Sequence, residues 1–281
     1  MVAPRPIVLI IGSGRSGTSL TMQVLAALGL RTGVDLIPAN ASNPRGFYED
    51  RAIVRLHADL LRALGTPLYA PLPADWLHTP VARATCDALS RLLRQRLAQT
   101  EGPYGIKDPR LSTLYPLWHD VFERLGLQPR VILAVRDPRS VVASLRRHYG
   151  FSAEEAEWLW LARNSDALLN SGGRCLVVHY ERWFDQPLPL AEALLRHTGL
   201  ALPDGSDPSA VIADRVCAGL DRSGNGMPPP RNPWVRRLYG ALQTHSPAPH
   251  DVDALLSLAG DCRTALARAT RGDLRSAHAR L

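Results

Sequence analysis

Residues Gly12 to Ser19 read Gly-Ser-Gly-Arg-Ser-Gly-Thr-Ser, directly after the apolar run Ile7 to Ile11 and directly before a stretch with helical periodicity. Glycines between a strand and a helix let backbone N–H groups approach an anion, and the helix start adds partial positive charge. Such a loop is suited to a phosphate, with Gly14, Arg15, Ser16, Gly17, Thr18 and Ser19 as its candidate binding residues. The hydroxyls of Thr18 and Ser19 suit either the anion or the cap of the helix that follows. The loop departs from the pattern that holds a nucleoside triphosphate, in which lysine directly follows the second glycine and Ser or Thr comes next. Here Thr18 follows Gly17, and the cation is Arg15, earlier in the loop.

Two further places carry cations that could act on the same ligand. All but one of the 33 basic residues are arginine, and the exception is Lys107. A compact ammonium that can also give up a proton does what a planar guanidinium cannot. Farther on, the segment Val131 to Ser144 reads as a strand ending in Arg136, a turn at Asp137–Pro138, and a helix carrying Ser144 two turns in. That order brings a guanidinium and a hydroxyl to one spot at the sheet edge, where ligands of such sheets bind. The strand ends in arginine and offers no aspartate to hold magnesium, so the ligand is a phosphate compound handled without the metal machinery of an NTPase. A nucleotide with phosphates on both its 5′ and 3′ sides would use both places.

These residues need a scaffold, and the hydrophobic pattern supplies one. Strands are predicted at Ile7 to Ile11, Tyr104 to Lys107, Arg130 to Val135 and Cys175 to His179. Helices are predicted at Thr18 to Leu28, Asp50 to Leu64, Ala82 to Ala98 and Pro116 to Leu125, the last with proline in its first turn. Further helices follow from Pro138 to about His148, at Ser152 to Leu169, at Leu188 to His197 and at Asp251 to Arg268. Alternation of this kind predicts an α/β fold with a central parallel sheet flanked by helices on both faces. We expect one domain over residues 1–281, its core at about 5–200 and a helical C-terminal part at about 201–281.

In this order, the motifs resemble those of sulfotransferases that use 3′-phosphoadenosine 5′-phosphosulfate (PAPS), in particular the bacterial and Golgi-type carbohydrate branch. The resemblance rests on Gly14 to Ser19, on Arg136 with Ser144, on Ile106-Lys107-Asp108-Pro109-Arg110, on Val178-His179-Tyr180-Glu181 and on Asn43 to Glu49. It spans roughly residues 7 to 185. It implies a P-loop-type three-layer fold and transfer of a sulfonate group from PAPS to a hydroxyl or amine, with adenosine 3′,5′-bisphosphate as product and no metal. It also implies roles. Arg15 would contact the 5′-phosphate and the moving sulfonate, Arg136 and Ser144 the 3′-phosphate, and Lys107 would face the sulfonate. Glu49 would be the base, with His57 and Asp108 as alternatives, although Asp50 beside Glu49 could simply cap a helix. Tyr180 and Glu181 would hold structure near the nucleotide. The glycine-rich segment that closes over the 3′-phosphate in many relatives has only a loose counterpart at Asp221 to Gly226, where Arg222 would serve.

Composition narrows the rest. The net charge of +7 favours anionic partners, but no basic block marks a nucleic-acid surface. No apolar run is long enough to span a bilayer. Cys86, Cys175, Cys217 and Cys262 are widely spaced, which points to reduced thiols in a cytoplasm. Trp158, Trp160 and Trp183 suit either an acceptor platform or the core. The acceptor pocket would be built from Thr66 to Pro80, the Ser152 helix and the C-terminal part, and carbohydrates, lipids and small natural products all fit that description. The competing readings are a P-loop kinase for a small metabolite, against which the missing loop lysine argues, and a nucleotide-binding protein without catalysis, against which Arg15, Lys107 and Glu49 together argue.

Overall fold

The run IVLIIG is apolar on both of its faces, and a strand of that kind must be covered on both. In a computed structural model describing residues 6–41, 43–203, 205, 207–216, 227–245 and 248–278 (side chains to 270), this run is β1 (Ile7–Gly12), buried at every position. The glycine loop leads into α1 (Thr18–Ala27), and α2 (Arg51–Leu64) and α3 (Pro80–Ala98) precede β2 (Tyr104–Lys107). Then come α4 (Leu111–Leu125), β3 (Pro129–Val135), α5 (Pro138–Tyr149), α6 (Ala153–Ser171) and β4 (Leu176–His179). The chain continues through α7 (Arg182–Asp185), α8 (Pro187–Thr198), α9 (Pro208–Arg215), α10 (Pro233–Thr244) and α11 (Pro249–His278).

The four strands form one parallel sheet in the order β2-β1-β3-β4. The chain leaves β1 toward one side for β2 and takes the other side for β3, so strand order reverses at β1. In open sheets the crevice beside such a reversal is where ligands bind. Register places the candidate residues along that edge: Ile10 pairs with Lys107, Gly12 with Ala134, and Val135 with His179. Each strand therefore delivers a motif to the same C-terminal edge.

The alternation of side chains along β1 divides the core in two. Ile7, Leu9 and Ile11 enter one cluster with residues of α3, α4, α6 and α11, whereas Val8 and Ile10 enter another with α1 and α8. The sheet is thus the middle of three layers. The C-terminal helices α10 and α11 pack on α6. No helix among the described residues is long and apolar enough to cross a membrane.

The predicted elements are present, most with ends shifted by one or two residues; the last helix, expected to Arg268, continues to His278, and one further difference is instructive. The helix expected from Pro116 begins at Leu111, so Pro116 lies inside α4 rather than in its first turn. Proline has no N–H to give the carbonyl four residues earlier. That carbonyl, on Ser112, accepts instead from Asn170 Nδ2 at 2.8 Å. A side chain of α6 thus repairs the gap, and a helix that proline would interrupt continues through it.

Candidate functional site

The glycine loop is held in a shape only some residues can take. Gly12 has φ +124°, and a Cβ there would lie 2.3 Å from the carbonyl oxygen of Ala134, so β1 and β3 can pair only around a glycine. Gly17, at φ +84°, is the N-cap of α1 and brings no side-chain cap. Neither Thr18 nor Ser19 therefore caps the helix. Arg15 also sits in the left-handed region, at φ 71°. Non-glycine residues take that conformation at a cost, commonly where function requires it.

Residues from distant parts of the chain close around this loop. A Cβ on Gly17 would lie 2.3 Å from Cδ2 of Tyr180, so the tyrosine ring is laid directly on the loop. The guanidinium of Arg136 stacks over that ring, 4.1 Å from its centre. Arg136 Nη1 also donates to the carbonyl oxygen of Arg15 at 3.4 Å, and Arg15 Nε donates to Ser144 Oγ at 2.8 Å. Arg136, Ser144 and Tyr180 thus gather against the Gly14 to Ser19 turn.

A second assembly forms beside it. Lys107, the last residue of β2, is buried and donates to Glu49 Oε1 at 2.5 Å. Glu49 is positioned by the segment before α2. Its carbonyl accepts from Ile37 N–H at 2.8 Å. Ser19 Oγ donates to the carbonyl of Phe47 at 3.2 Å, and Asn43 Nδ2 donates to Ser19 Oγ at 3.3 Å and to the carbonyl of Gly46 at 2.7 Å. The acidic segment is therefore tied to the phosphate loop. Asp50, next to Glu49, caps α2 by accepting from Ala52 and Ile53 N–H and pairs with Arg96 at 2.8 Å.

The two alternative bases expected from the sequence lie outside the cleft. His57 and Asp108 are wholly shielded from solvent and do not line the cleft. His57 Nε2 accepts from the indole N–H of Trp118 at 2.8 Å, which leaves Nδ1 to donate to Asp108 Oδ2 at 2.8 Å. The other Asp108 oxygen accepts from the backbone N–H and the guanidinium of Arg110, both at 2.9 Å. Burial alone would raise the Asp108 carboxyl, but the His57 hydrogen bond and the Arg110 charge outweigh it and hold the group well below its ordinary value. This is a structural network, with no nitrogen or oxygen left to take a proton from a ligand. The tryptophans are core residues too. Trp160 and Trp183 are fully buried, and their indole N–H groups donate to the carbonyl of Arg136 and to Thr21 Oγ1. Trp158 packs partly buried against the cluster that holds Trp160.

Over residues 6–204 the chain matches the profile of the Sulfotransferase family. The chain belongs to that family. Solved structures with a related fold include the sulfotransferase domain of a Synechococcus olefin synthase, at 21% identity and TM-score 0.47 over 90% of this chain and 94% of that one. The sulfotransferase domain of the curacin biosynthetic pathway aligns at 15% identity and TM-score 0.47 over 90% of this chain and 96% of its own. Sulfotransferase STF9 from Mycobacterium avium aligns at 15% identity and TM-score 0.45 over 76% and 68%. No curated protein sequence matches the chain.

In this sulfotransferase the loop, Lys107, Glu49 and Arg136 all border one cleft of about 520 Å³. Its residues suit an anion. Ser16 Oγ is buried in the loop without a hydrogen-bond partner among the described residues, an arrangement that a phosphate oxygen would satisfy. Arg222 and Cys217 lie outside the described residues. The cleft also holds a residue that sequence reasoning missed. Arg163 of α6 reaches the cleft although it is only 5% exposed. Its signal was an arginine inside a run of apolar residues, Trp160-Leu161-Ala162 before it and Ala167-Leu168-Leu169 after.

Proposed function

We propose that this sulfotransferase moves a sulfonate from PAPS to a hydroxyl or amine of a carbohydrate, lipid or small natural-product acceptor, releasing adenosine 3′,5′-bisphosphate. The observation that carries this reading is the direct joining of Arg136 and Ser144 to the glycine loop, through the Arg15 carbonyl at 3.4 Å and the Arg15 side chain at 2.8 Å. Two anion cradles from separate motifs then share one sheet edge, as a nucleotide phosphorylated on both sides requires. A metal has no assigned part here, because the loop lacks the lysine–hydroxyl pair and β3 the terminal aspartate that would serve one.

PAPS supplies a sulfonate already activated by its bond to a phosphate oxygen. The loop amides with Arg15, Ser16, Thr18 and Ser19 would hold the 5′ side, and Arg136 and Ser144 the 3′ side, with Tyr180 supporting the Arg136 guanidinium. Lys107 has three N–H donors, of which Glu49 takes one, so others can stabilise the negative charge that builds on the phosphate oxygen as its bond to sulfur breaks. Glu49 accepts the proton that the acceptor loses as its oxygen or nitrogen bonds to sulfur. The ion pair thus keeps acid and base within reach of one reacting centre.

The test is incubation with sulfur-labelled PAPS and a panel of saccharide, lipid and phenolic acceptors. Label should pass to at least one acceptor class. Lys107→Ala should lower transfer on the order of a hundredfold to a thousandfold while binding of adenosine 3′,5′-bisphosphate persists. Transfer of phosphate from ATP with magnesium, and none from PAPS, would show a kinase instead.

A further inference from the structure

Arg163 poses a charge problem that the donor site does not solve. Its guanidinium is nearly buried, yet its one described side-chain hydrogen bond goes to the neutral hydroxyl of Thr113. No carboxylate among the described residues lies within ion-pairing distance, 4.0 Å, of it. The two acids in its neighbourhood are engaged elsewhere. Asp166 accepts from Thr113 Oγ1 through one oxygen, at 2.6 Å, and pairs with Arg263 through the other, at 3.1 Å. Asp108 is divided between His57 and Arg110. One carboxylate, Asp166, thus stands opposite two guanidiniums, and the buried side of the cleft keeps a surplus positive charge. Desolvation accordingly pushes the Arg163 pKa down. A buried cation without a partner of opposite charge is costly unless a ligand supplies one.

We infer that Arg163 forms an anion site for the acceptor, which carries a carboxylate or similar acidic group on an apolar body. This role rests on the sulfonate transfer proposed above. The planar fork of a guanidinium matches a carboxylate. The apolar body follows from the surroundings: Leu159, one turn earlier on α6, lines the same cleft, together with Leu145, Tyr149 and Phe151 from the α5–α6 corner. The donor cations are placed differently. Arg136 at the end of β3 donates to the Arg15 carbonyl, and Arg15 in the loop after β1 donates to Ser144 of α5, whereas Arg163 enters from α6.

The probes are phenylbutyrate and its uncharged amide, titrated calorimetrically into the full chain with and without saturating adenosine 3′,5′-bisphosphate. Phenylbutyrate should bind about tenfold tighter than the amide. R163Q should remove that preference, R163K should keep most of it, and neither should change the affinity for the bisphosphate. Equal affinity of the native protein for acid and amide overturns the site, whether or not R163Q folds. Loss of bisphosphate binding in R163Q, with the preference for phenylbutyrate intact, would move Arg163 to the donor site and overturn it equally. If the native protein fails to bind the bisphosphate, the donor reading falls, while the titrations without nucleotide still decide the role of Arg163.

Discussion

Lys107 and Glu49 are two buried groups of opposite charge that face the cleft, whereas the neighbouring pair, His57 and Asp108, faces only protein. That difference separates chemistry from structure. Glu49→Gln should reduce transfer on the order of a hundredfold or more with nucleotide affinity unchanged; an unaltered turnover number would remove Glu49 as the base. Asp108→Asn should instead act on stability, costing on the order of 3 kcal/mol at neutral pH because it breaks a buried charge network. The Asp108 carboxyl is held below its ordinary value in the folded protein. Its stabilisation is therefore complete above about pH 4 and fades as pH falls toward the folded value. Denaturation curves of native protein and variant should converge in acid, and a difference that stays constant from pH 7 to strong acid would contradict the network. Lys107 was legible in the sequence because it is the single lysine. His57 could have been placed in the core, since with Ile53 and Leu60 it falls on one face of α2. The apolar neighbours of Arg163 were its one signal in the sequence, but an arginine in a predicted helix reads as solvated, and the packing of α4, α10 and α11 around α6 shows otherwise.

The elements are held in register by a few positions where backbone must meet backbone or a hydrogen bond must be replaced. Gly12→Ala should lower stability by about 1–3 kcal/mol, since a methyl group would meet the Ala134 carbonyl at 2.3 Å, and thermal unfolding would register it as a melting temperature several degrees lower. Asn170→Ala should cost about 1–3 kcal/mol by orphaning the Ser112 carbonyl. The cost should shrink in a Pro116→Ala background, where a new N–H inside α4 can take that carbonyl. A penalty of equal size in both backgrounds would mean that Asn170 does not repair the proline gap. Most boundaries of these elements were readable from apolar periodicity and flanking turn residues. The start of α4 was not, because its first turn, Leu111 to Tyr115, looks like a loop until Asn170 arrives from α6 to make an internal proline tolerable.

At the scale of the whole molecule, the strand–helix alternation made the parallel sheet predictable, and parallel strands with motifs at their ends made the sheet edge the place to look. The order β2-β1-β3-β4 could not be read, since nothing in a strand's own residues names its neighbours; pairing depends on how the helices cover the sheet. The helices α9 and α10 fall within the part expected only as helical at about 201–281 and were not separated there; α10 lays its buried Val235, Leu238 and Leu242 face toward α6 and α11. What the assembled edge does with its two cradles is decided most directly by ligand-induced stabilisation. Adenosine 3′,5′-bisphosphate should raise the melting temperature of the native protein well above the shift given by AMP or ADP, and Arg136→Ala should bring the three shifts together. Equal shifts for all three nucleotides in the native protein would contradict the account.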